Sequence, residues 1–194
     1  MKKALIFWLI AISSAFSAEK YEVYSQKALL DASLDSAISQ VGVCEKTNNN
    51  DGLEVQKYQR LLNLKEGAPY CAAGVYWCFI TAARALNLPD SAIPIVKSPL
   101  ANGIYNGAMR RGTKVNYLPQ KHDLIVWRKI SGSSGHIERI CEVLQGGWVR
   151  TIGFNSSIRD SCGKKIEGVF YQRRNIKHPL GRLLIRGLIG FRTA

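Results

Sequence analysis

Apolar residues recur at helical spacing in two stretches of the first third of the chain. The first runs from Lys27 to Gln40 and the second from Leu53 to Leu64. Their apolar positions are Leu30, Leu34, Ala37, Ile38 and Val41 in the first, and Val55, Tyr58, Leu61 and Leu62 in the second. A polar loop of turn-forming residues, 47–52, separates them. This spacing predicts two amphipathic helices.

A third helix is predicted from about Tyr70 to Leu86. Pro69 precedes it, which suits the first turn of a helix, where the missing N–H group of proline is not needed. Between Cys71 and Leu86 only Arg84 is charged. A helix that is apolar on nearly all sides lies buried inside a domain.

The pattern changes in the second half of the chain. Residues 98–119 are weakly patterned and contain Gly, Asn and Pro, so they are predicted to form a long surface loop with at most one helical turn. Segments 123–129, 136–144, 148–154 and 168–173 then read as strands. Helices followed by an antiparallel β-meander indicate an α+β domain.

The first residues resemble an export signal. Lys2 and Lys3 precede an apolar run from Ala4 to Ile12, and small residues follow up to Ala18. This order is typical of a secretory signal peptide, with cleavage favoured after Ser17 and nearly as well after Ala18. The sequence therefore predicts a signal peptide at 1–17 and a secreted or periplasmic domain at 18–172.

The charge is concentrated at the other end. The formal net charge is +13, and residues 164–194 contain eight Lys and Arg against one acidic residue, Glu167. Residues 173–194 are predicted to be a basic, apolar tail. Such a tail either binds an anionic membrane or wall polymer or packs on the domain as a terminal extension. No nucleic-acid-reading motif is visible, so nucleic acid is not an expected partner.

The five cysteines do not form a recognisable metal site. They are Cys44, Cys71, Cys78, Cys141 and Cys162, and their spacings fit no zinc pattern. Neither a metal nor an organic cofactor is predicted. Disulfides Cys141–Cys162 or Cys44–Cys78 are open possibilities, although Cys78 is expected to be a small buried residue.

One cysteine and one histidine are placed for covalent chemistry. Cys71 begins the buried helix, where the helix dipole favours a thiolate and free N–H groups can stabilise an oxyanion. His136 follows the flexible stretch 131–135 and opens a strand. A histidine at that position can act as the general base for the cysteine.

The residue that orients His136 depends on the hairpin after it. A two-residue turn at Gly146-Gly147 would pair Glu138 with Asn155 and place both on the face of His136. A three-residue loop would move Asn155 to the other face. Asn155 is the first candidate for this polar role, and Glu138 is the alternative.

These residues belong to stretches that resemble a known family. The stretches are Val41-Gly42-Val43-Cys44-Glu45, Asn49-Asn50-Asp51-Gly52, Val55-Gln56-Lys57-Tyr58, Tyr70 to Phe79, Asp123 to Trp127, Gly135-His136-Ile137 and Thr151 to Asn155. In this order they are similar to bacterial CHAP-domain cell-wall hydrolases. The resemblance covers roughly residues 30–172.

The resemblance implies a papain-like fold and hydrolysis of an amide bond in peptidoglycan, by an N-acetylmuramoyl-L-alanine amidase or a peptide endopeptidase. It implies Cys71 as nucleophile, His136 as base and Asn155 as the third residue. Two positions depart from the family pattern: Gly153, where many members carry Glu, and Gly74, where many carry Phe. The first departure leaves a rival interpretation, a catalytically inactive protein that binds the wall or a membrane through the same fold.

Overall fold

The computed structural model describes residues 18–193, so the predicted signal peptide at 1–17 lies outside the described residues. Residues 18–193 contain four α-helices and seven β-strands. The helices are α1 (Lys27–Ile38), α2 (Leu53–Leu61), α3 (Cys71–Ala85) and α4 (Ala101–Arg111). The strands are β1 (Glu19–Tyr24), β2 (Thr113–Val115), β3 (Leu124–Arg128), β4 (Gly135–Val143), β5 (Trp148–Arg159), β6 (Lys165–Asn175) and β7 (Leu184–Arg192). The predicted α+β class is confirmed.

All seven strands form one sheet in the order β2-β1-β7-β3-β4-β5-β6. Strands β3 to β6 are consecutive antiparallel neighbours, as the meander prediction required. The prediction missed β1, which pairs parallel with β7 and antiparallel with β2. The meander is thus extended by β1 and β7, from the two ends of the described chain, and by the short β2 from its middle.

Helix α3 is the centre of the larger core. It contacts α1, α2, β4 and β5, and eleven of its fifteen residues are buried. This burial explains why its sequence is apolar on nearly every side. A smaller apolar cluster covers the opposite face of the sheet around Trp127, Ile140 and Leu188. No helix among residues 18–193 has the length and hydropathy needed to cross a membrane.

The predicted C-terminal tail is part of the sheet. The boundary predicted at residue 172 falls inside β6, and β7 lies between β1 and β3. Leu188, Ile189 and Phe191 are buried in the two cores. Of the two interpretations of this tail, packing on the domain agrees with residues 173–193, whereas a separate segment does not, because these three apolar side chains are buried in the domain.

The loop predicted at 98–119 is also wrong in part. It contains α4 and β2, and Ile104 and Tyr105 of α4 are buried. Glycines weakened the helical signal here. Gly107 permits a close approach, because a Cβ atom at that position would lie 2.6 Å from a methyl group of Val96.

Candidate active site

Cys71 is the first residue of α3, as the sequence predicts. Its side chain lies at the N-terminal end of the helix and only 6% of the residue is exposed. The first intrahelical bond in this turn is donated by the Gly74 N–H to the Tyr70 carbonyl at 2.8 Å. The N–H groups that precede Gly74 have no carbonyl partner within the helix, so they are donors for a negatively charged oxygen near the sulfur.

His136 is the second residue of β4 and reaches Cys71. Its backbone pairs with Trp127 on β3, and its ring lies 5.9 Å from the Trp127 ring, centroid to centroid. Burial alone would lower the pKa of His136. Hydrogen bonding and charge interactions with Cys71 and Glu138 outweigh burial and raise the pKa of His136 above its ordinary value. The imidazole is thus held in its protonated form beside the sulfur.

Glu138 orients the imidazole. Its Oε1 lies 3.1 Å from Nε2 of His136, which leaves Nδ1 as the ring nitrogen available to Cys71. Glu138 is fully buried, and its carboxylate is saturated by other donors. Arg174 donates from Nε and Nη2 at 2.7–3.1 Å, and Thr151 donates from its hydroxyl at 2.5 Å.

These partners keep Glu138 ionised. Burial alone would raise the pKa of Glu138, but the hydrogen bonds and charges of His136 and Arg174 lower it below the ordinary value. The result is a row of charged groups, Arg174, Glu138 and His136, that runs from the groove to Cys71. A carboxylate held in this way fixes the tautomer and the orientation of a histidine.

Gly153 makes room for Glu138. The two residues are direct partners on neighbouring strands. A Cβ atom at position 153 would lie 2.8 Å from Oε1 of Glu138 and 3.0 Å from its carboxyl carbon. The carboxylate of Glu138 therefore lies over Gly153, where the resemblance would have placed a glutamate.

The hairpin between β4 and β5 differs from the first prediction. Residues 145–147 form a three-residue loop, and the Leu144 N–H donates to the Trp148 carbonyl at 2.8 Å. The two-residue turn is wrong, and Glu138 does not oppose Asn155. An irregularity around Cys141 then shifts the register, so that Glu138 opposes Gly153.

Asn155 lies close to the site but bonds elsewhere. Its φ angle is 55°, and the pairing of β5 with β6 is irregular between Gly153 and Ser156, so the strand bulges at this point. The Asn155 side-chain amide donates to Asn50 and, at 3.4 Å, to Glu45. Among the described residues, the carboxylate partner of His136 is Glu138, and Asn155 is not hydrogen-bonded to the imidazole.

The family-like loop motifs meet around this amide. Glu45 is buried and accepts hydrogen bonds from the Asn50 N–H at 2.7 Å and from the Tyr70 hydroxyl at 3.1 Å. Tyr70 directly precedes Cys71. The cluster of Glu45, Asn50, Tyr70 and Asn155 therefore joins the loop before α2, the start of α3 and the bulge of β5 at one point beside the nucleophile.

A polar groove of about 320 Å³ opens over the histidine. It is lined by His136, Asn155, Ser156, Gln172, Arg174 and Leu183, among others. A larger depression of about 450 Å³ lies around Tyr117, Ile176 and Ile185 and does not include the Cys71 and His136 pair. Of these two, the smaller groove is the one that His136 lines, whereas Cys71 is not part of its lining.

The remaining cysteines form no bridges. All five thiols are free, so neither predicted disulfide is present, and Cys78 is buried as expected. Burial raises the pKa of Cys78 to about 12, so this thiol is inert at neutral pH. Within residues 18–193 no three His, Cys, Asp or Glu side chains are grouped to hold a metal ion.

Sequence reasoning missed Arg174 and Thr151. Both lie in strands and reach Glu138 across neighbouring strands, so finding them requires the register of β4, β5 and β6. One signal was available: a glutamate in the middle of an apolar strand needs a cation nearby when it is buried. Arg174 on the next strand but one is such a cation.

The chain was compared with protein families, curated proteins and solved structures. No family model matches it, and neither a curated protein nor a solved structure does.

Proposed function

We propose that this protein is an exported cysteine hydrolase of the CHAP type that cleaves an amide bond of peptidoglycan. The observation that carries the proposal is the arrangement of Cys71, at the start of a buried helix, next to His136, which is held by the buried carboxylate of Glu138. Nucleophile, base and orienting group in contact are the elements that covalent amide hydrolysis requires.

The proposed fold assignment is papain-like. It rests on the family-like motifs and on the packing of a cysteine-bearing helix against an antiparallel sheet with the histidine at the start of a strand. At two positions where this chain has glycine and many members of the family have a larger residue, a neighbouring side chain occupies the space, which supports the assignment. Gly74 replaces a bulky family residue, and a Cβ atom there would lie 2.2 Å from the Phe154 ring, so Phe154 fills that space from β5.

The second of these positions concerns the orienting carboxylate. Many members of the family carry Glu where this chain has Gly153, and here the directly opposed residue, Glu138, supplies a carboxylate over that glycine. The rival interpretation of an inactive binding protein depended on the missing carboxylate. The hydrogen bond between Glu138 and His136 supports the proposal of an enzyme over that interpretation.

The proposed reaction has two steps. The thiolate of Cys71 attacks the amide carbonyl, the N–H groups of the first turn of α3 stabilise the oxyanion, and the His136 imidazolium gives its proton to the leaving amine. A thioester with Cys71 remains. His136 then takes a proton from water, which attacks the thioester and releases a carboxylic acid and the thiolate. Glu138 keeps the imidazole in place throughout, and no cofactor takes part in these steps.

The substrate is proposed from export and from the family resemblance. Either the amide between N-acetylmuramic acid and L-alanine or a peptide bond of the stem or cross-bridge is the target. The test is digestion of purified peptidoglycan of several chemotypes by the mature chain, 18–194, and by its Cys71→Ala variant under reducing conditions. Mass spectrometry of the products identifies the bond from the new ends.

The expected result is release of fragments by the parent and none by Cys71→Ala. Release of the same fragments by both proteins would show that Cys71 is not the nucleophile. If neither protein releases fragments while both sediment with the wall, the protein is a binding protein on this fold and the hydrolase proposal is overturned.

A further inference from the structure

Strands β5 and β6 carry a second group of charged residues on the face turned away from the groove. Arg174 and Gln172 of β6 line the groove, so the alternating residues Arg173 and Tyr171 project from the opposite face. Arg173 is directly paired with Arg150 on β5. Two arginines therefore lie side by side on an exposed part of the sheet.

Each of these guanidinium groups lies over an aromatic ring. Arg173 lies 4.4 Å from the centroid of the Trp148 ring, and Arg150 lies 5.2 Å from that of Tyr171. Trp148 also meets the His178 ring edge-to-face at 5.6 Å. We name Trp148, Arg173, Arg150 and Tyr171 the arginine ladder, because the four residues alternate diagonally between the two strands.

The ladder has an excess of positive charge. Like charges directly opposed on neighbouring strands destabilise a sheet, and the carboxylate at hand is Glu142, 3.1 Å from Nε of Arg150. Arg150 remains more than half exposed and Tyr171 is 41% exposed. Arginines held over rings lose less freedom on binding, so their N–H groups that are not bonded to Glu142 are prearranged for an anion.

We propose that the arginine ladder binds a phosphodiester-linked polyanion of polyol or sugar phosphate units, an extracellular ligand whose location rests on the export in the proposed function. One guanidinium can hold a planar carboxylate alone, whereas a tetrahedral phosphate presents oxygens to two guanidinium groups at once. A nucleic acid would stack its bases on open aromatic faces, but the guanidinium groups already cover these rings. A membrane would require exposed apolar side chains for insertion, and the one exposed ring of the ladder, Tyr171, already faces the guanidinium group of Arg150.

This site lies on the reverse of the strands that form the candidate active site, so its test does not depend on catalysis. Binding of a synthetic glycerol phosphate oligomer to the mature chain is measured by calorimetry at two salt concentrations. The Arg150→Gln/Arg173→Gln double variant is expected to weaken binding about tenfold or more, since charged hydrogen bonds to two arginines are lost. Arginine-to-lysine variants keep the charge and lose the planar fork, and they are expected to fall between these values.

The matched control removes two positive charges elsewhere, by Arg84→Gln and Arg110→Gln on the exposed surfaces of α3 and α4. Its affinity is expected to stay within about twofold of the parent, apart from the general effect of net charge. Equal losses in both double variants would overturn the proposal. So would stronger ladder-dependent binding to polyglutamate, to oligothymidylate or to vesicles of phosphatidylglycerol and phosphatidylcholine, because each identifies a different occupant. Folding of every variant is checked by circular dichroism.

Discussion

Glu138 and Asp123 are both carboxylates buried in the same sheet, and their surroundings differ. Glu138 is bonded to His136, Arg174 and Thr151, and its pKa is lowered. Asp123 lies 2.9 Å from the buried ammonium group of Lys20 and accepts a backbone N–H from Gln120. Burial nevertheless outweighs these partners and raises the pKa of Asp123 to about 6.

The difference lies in the number of donors and in access. Arg174 binds the carboxylate of Glu138 through two nitrogen atoms, and both partners of Glu138, Arg174 and His136, line the groove. Lys20 and Asp123, in contrast, are almost fully buried. Buried charge alone therefore does not mark a functional site, because buried ion pairs also occur as structural features. Glu138 differs from Asp123 because its titratable partner, His136, lines the groove. Substitutions at either carboxylate or at its partners test this difference.

The largest effect is expected from Glu138→Gln. The amide keeps the shape but loses the charge that raises the pKa of His136, and kcat is expected to fall roughly 10²–10⁴-fold. The lower pKa of His136 means that the imidazolium is lost at a lower pH. The alkaline limb of the kcat/KM profile is therefore expected to move to lower pH. The measurement is peptidoglycan hydrolysis as a function of pH.

Asp123→Asn is the matched control, since it removes the other buried carboxylate. Its pH profile for kcat/KM is expected to coincide with that of the parent. An alkaline limb that stays in place in Glu138→Gln would mean that Glu138 does not set the protonation of His136.

The next largest effects are expected on the free energy of unfolding when Arg174 or Lys20, the cations paired with the two carboxylates, is removed. Arg174→Met leaves the fully buried carboxylate of Glu138 without its arginine, and removing one partner of a buried pair costs about 3–5 kcal/mol of unfolding free energy. Because the folded pKa of Glu138 lies below its unfolded value, this group contributes stability above the unfolded pKa and loses it only in acid. The cost of Arg174→Met is therefore expected to persist between about pH 5 and 7.

Lys20→Met is expected to behave differently. The folded pKa of Asp123, about 6, already lies above its unfolded value, and loss of Lys20 raises it further. Asp123 then binds a proton in the folded state, which relieves the unpaired charge. The destabilisation measured by urea unfolding should shrink as the pH falls from 7 to 5. A cost of Lys20→Met that does not change over this range would contradict the contrast between the two pairs.

A smaller effect is expected from Gly153→Ala. The new methyl group would contact the carboxylate of Glu138, so the carboxylate or the strand must move, at a cost of about 1–3 kcal/mol. Activity is expected to fall about tenfold, since small misplacements of catalytic groups are costly. Gly74→Ala is the control, because its methyl group meets the Phe154 ring instead. It should lower stability with a smaller loss of activity, and a loss of activity equal to that of Gly153→Ala would remove the special role of Gly153.

The elements that the sequence predicts are buried through their own apolar residues, whereas a missed element is buried through contacts with distant parts of the chain. Helix α3 and strand β3 are largely apolar, so their pattern alone indicates a core. Strand β1 reads Glu-Lys-Tyr-Glu-Val-Tyr, and Lys20 is buried there only because Asp123 comes from a distant part of the chain. Pairings at this sequence separation leave no local pattern.

The candidate site shows the same division. Cys71 and His136 could be named from local sequence, because a helix start and a strand start are local features. The orienting residue could not be chosen, since its face depends on the loop at 145–147 and on the irregularity around Cys141. One residue gained or lost in a hairpin reverses the face of every following side chain.

The smallest effect on activity is expected from a substitution at Asn155, the other candidate for orienting His136. The register of β4 with β5, continued by two residues, would place it opposite His136, but the bulge and the left-handed backbone turn its amide toward Asn50 and Glu45. Asn155→Ala is therefore expected to lower kcat less than about tenfold, by loosening the cluster beside Cys71, and to leave the alkaline limb unchanged. A loss as large as that of Glu138→Gln, with the same movement of the limb, would assign the orienting role to Asn155. Because the two residues lie on neighbouring strands, their effects on kcat can be coupled, and the Glu138→Gln/Asn155→Ala double variant measures this coupling. Losses of kcat that add on the free-energy scale indicate independent roles. A loss no greater than that of Glu138→Gln alone indicates one shared role.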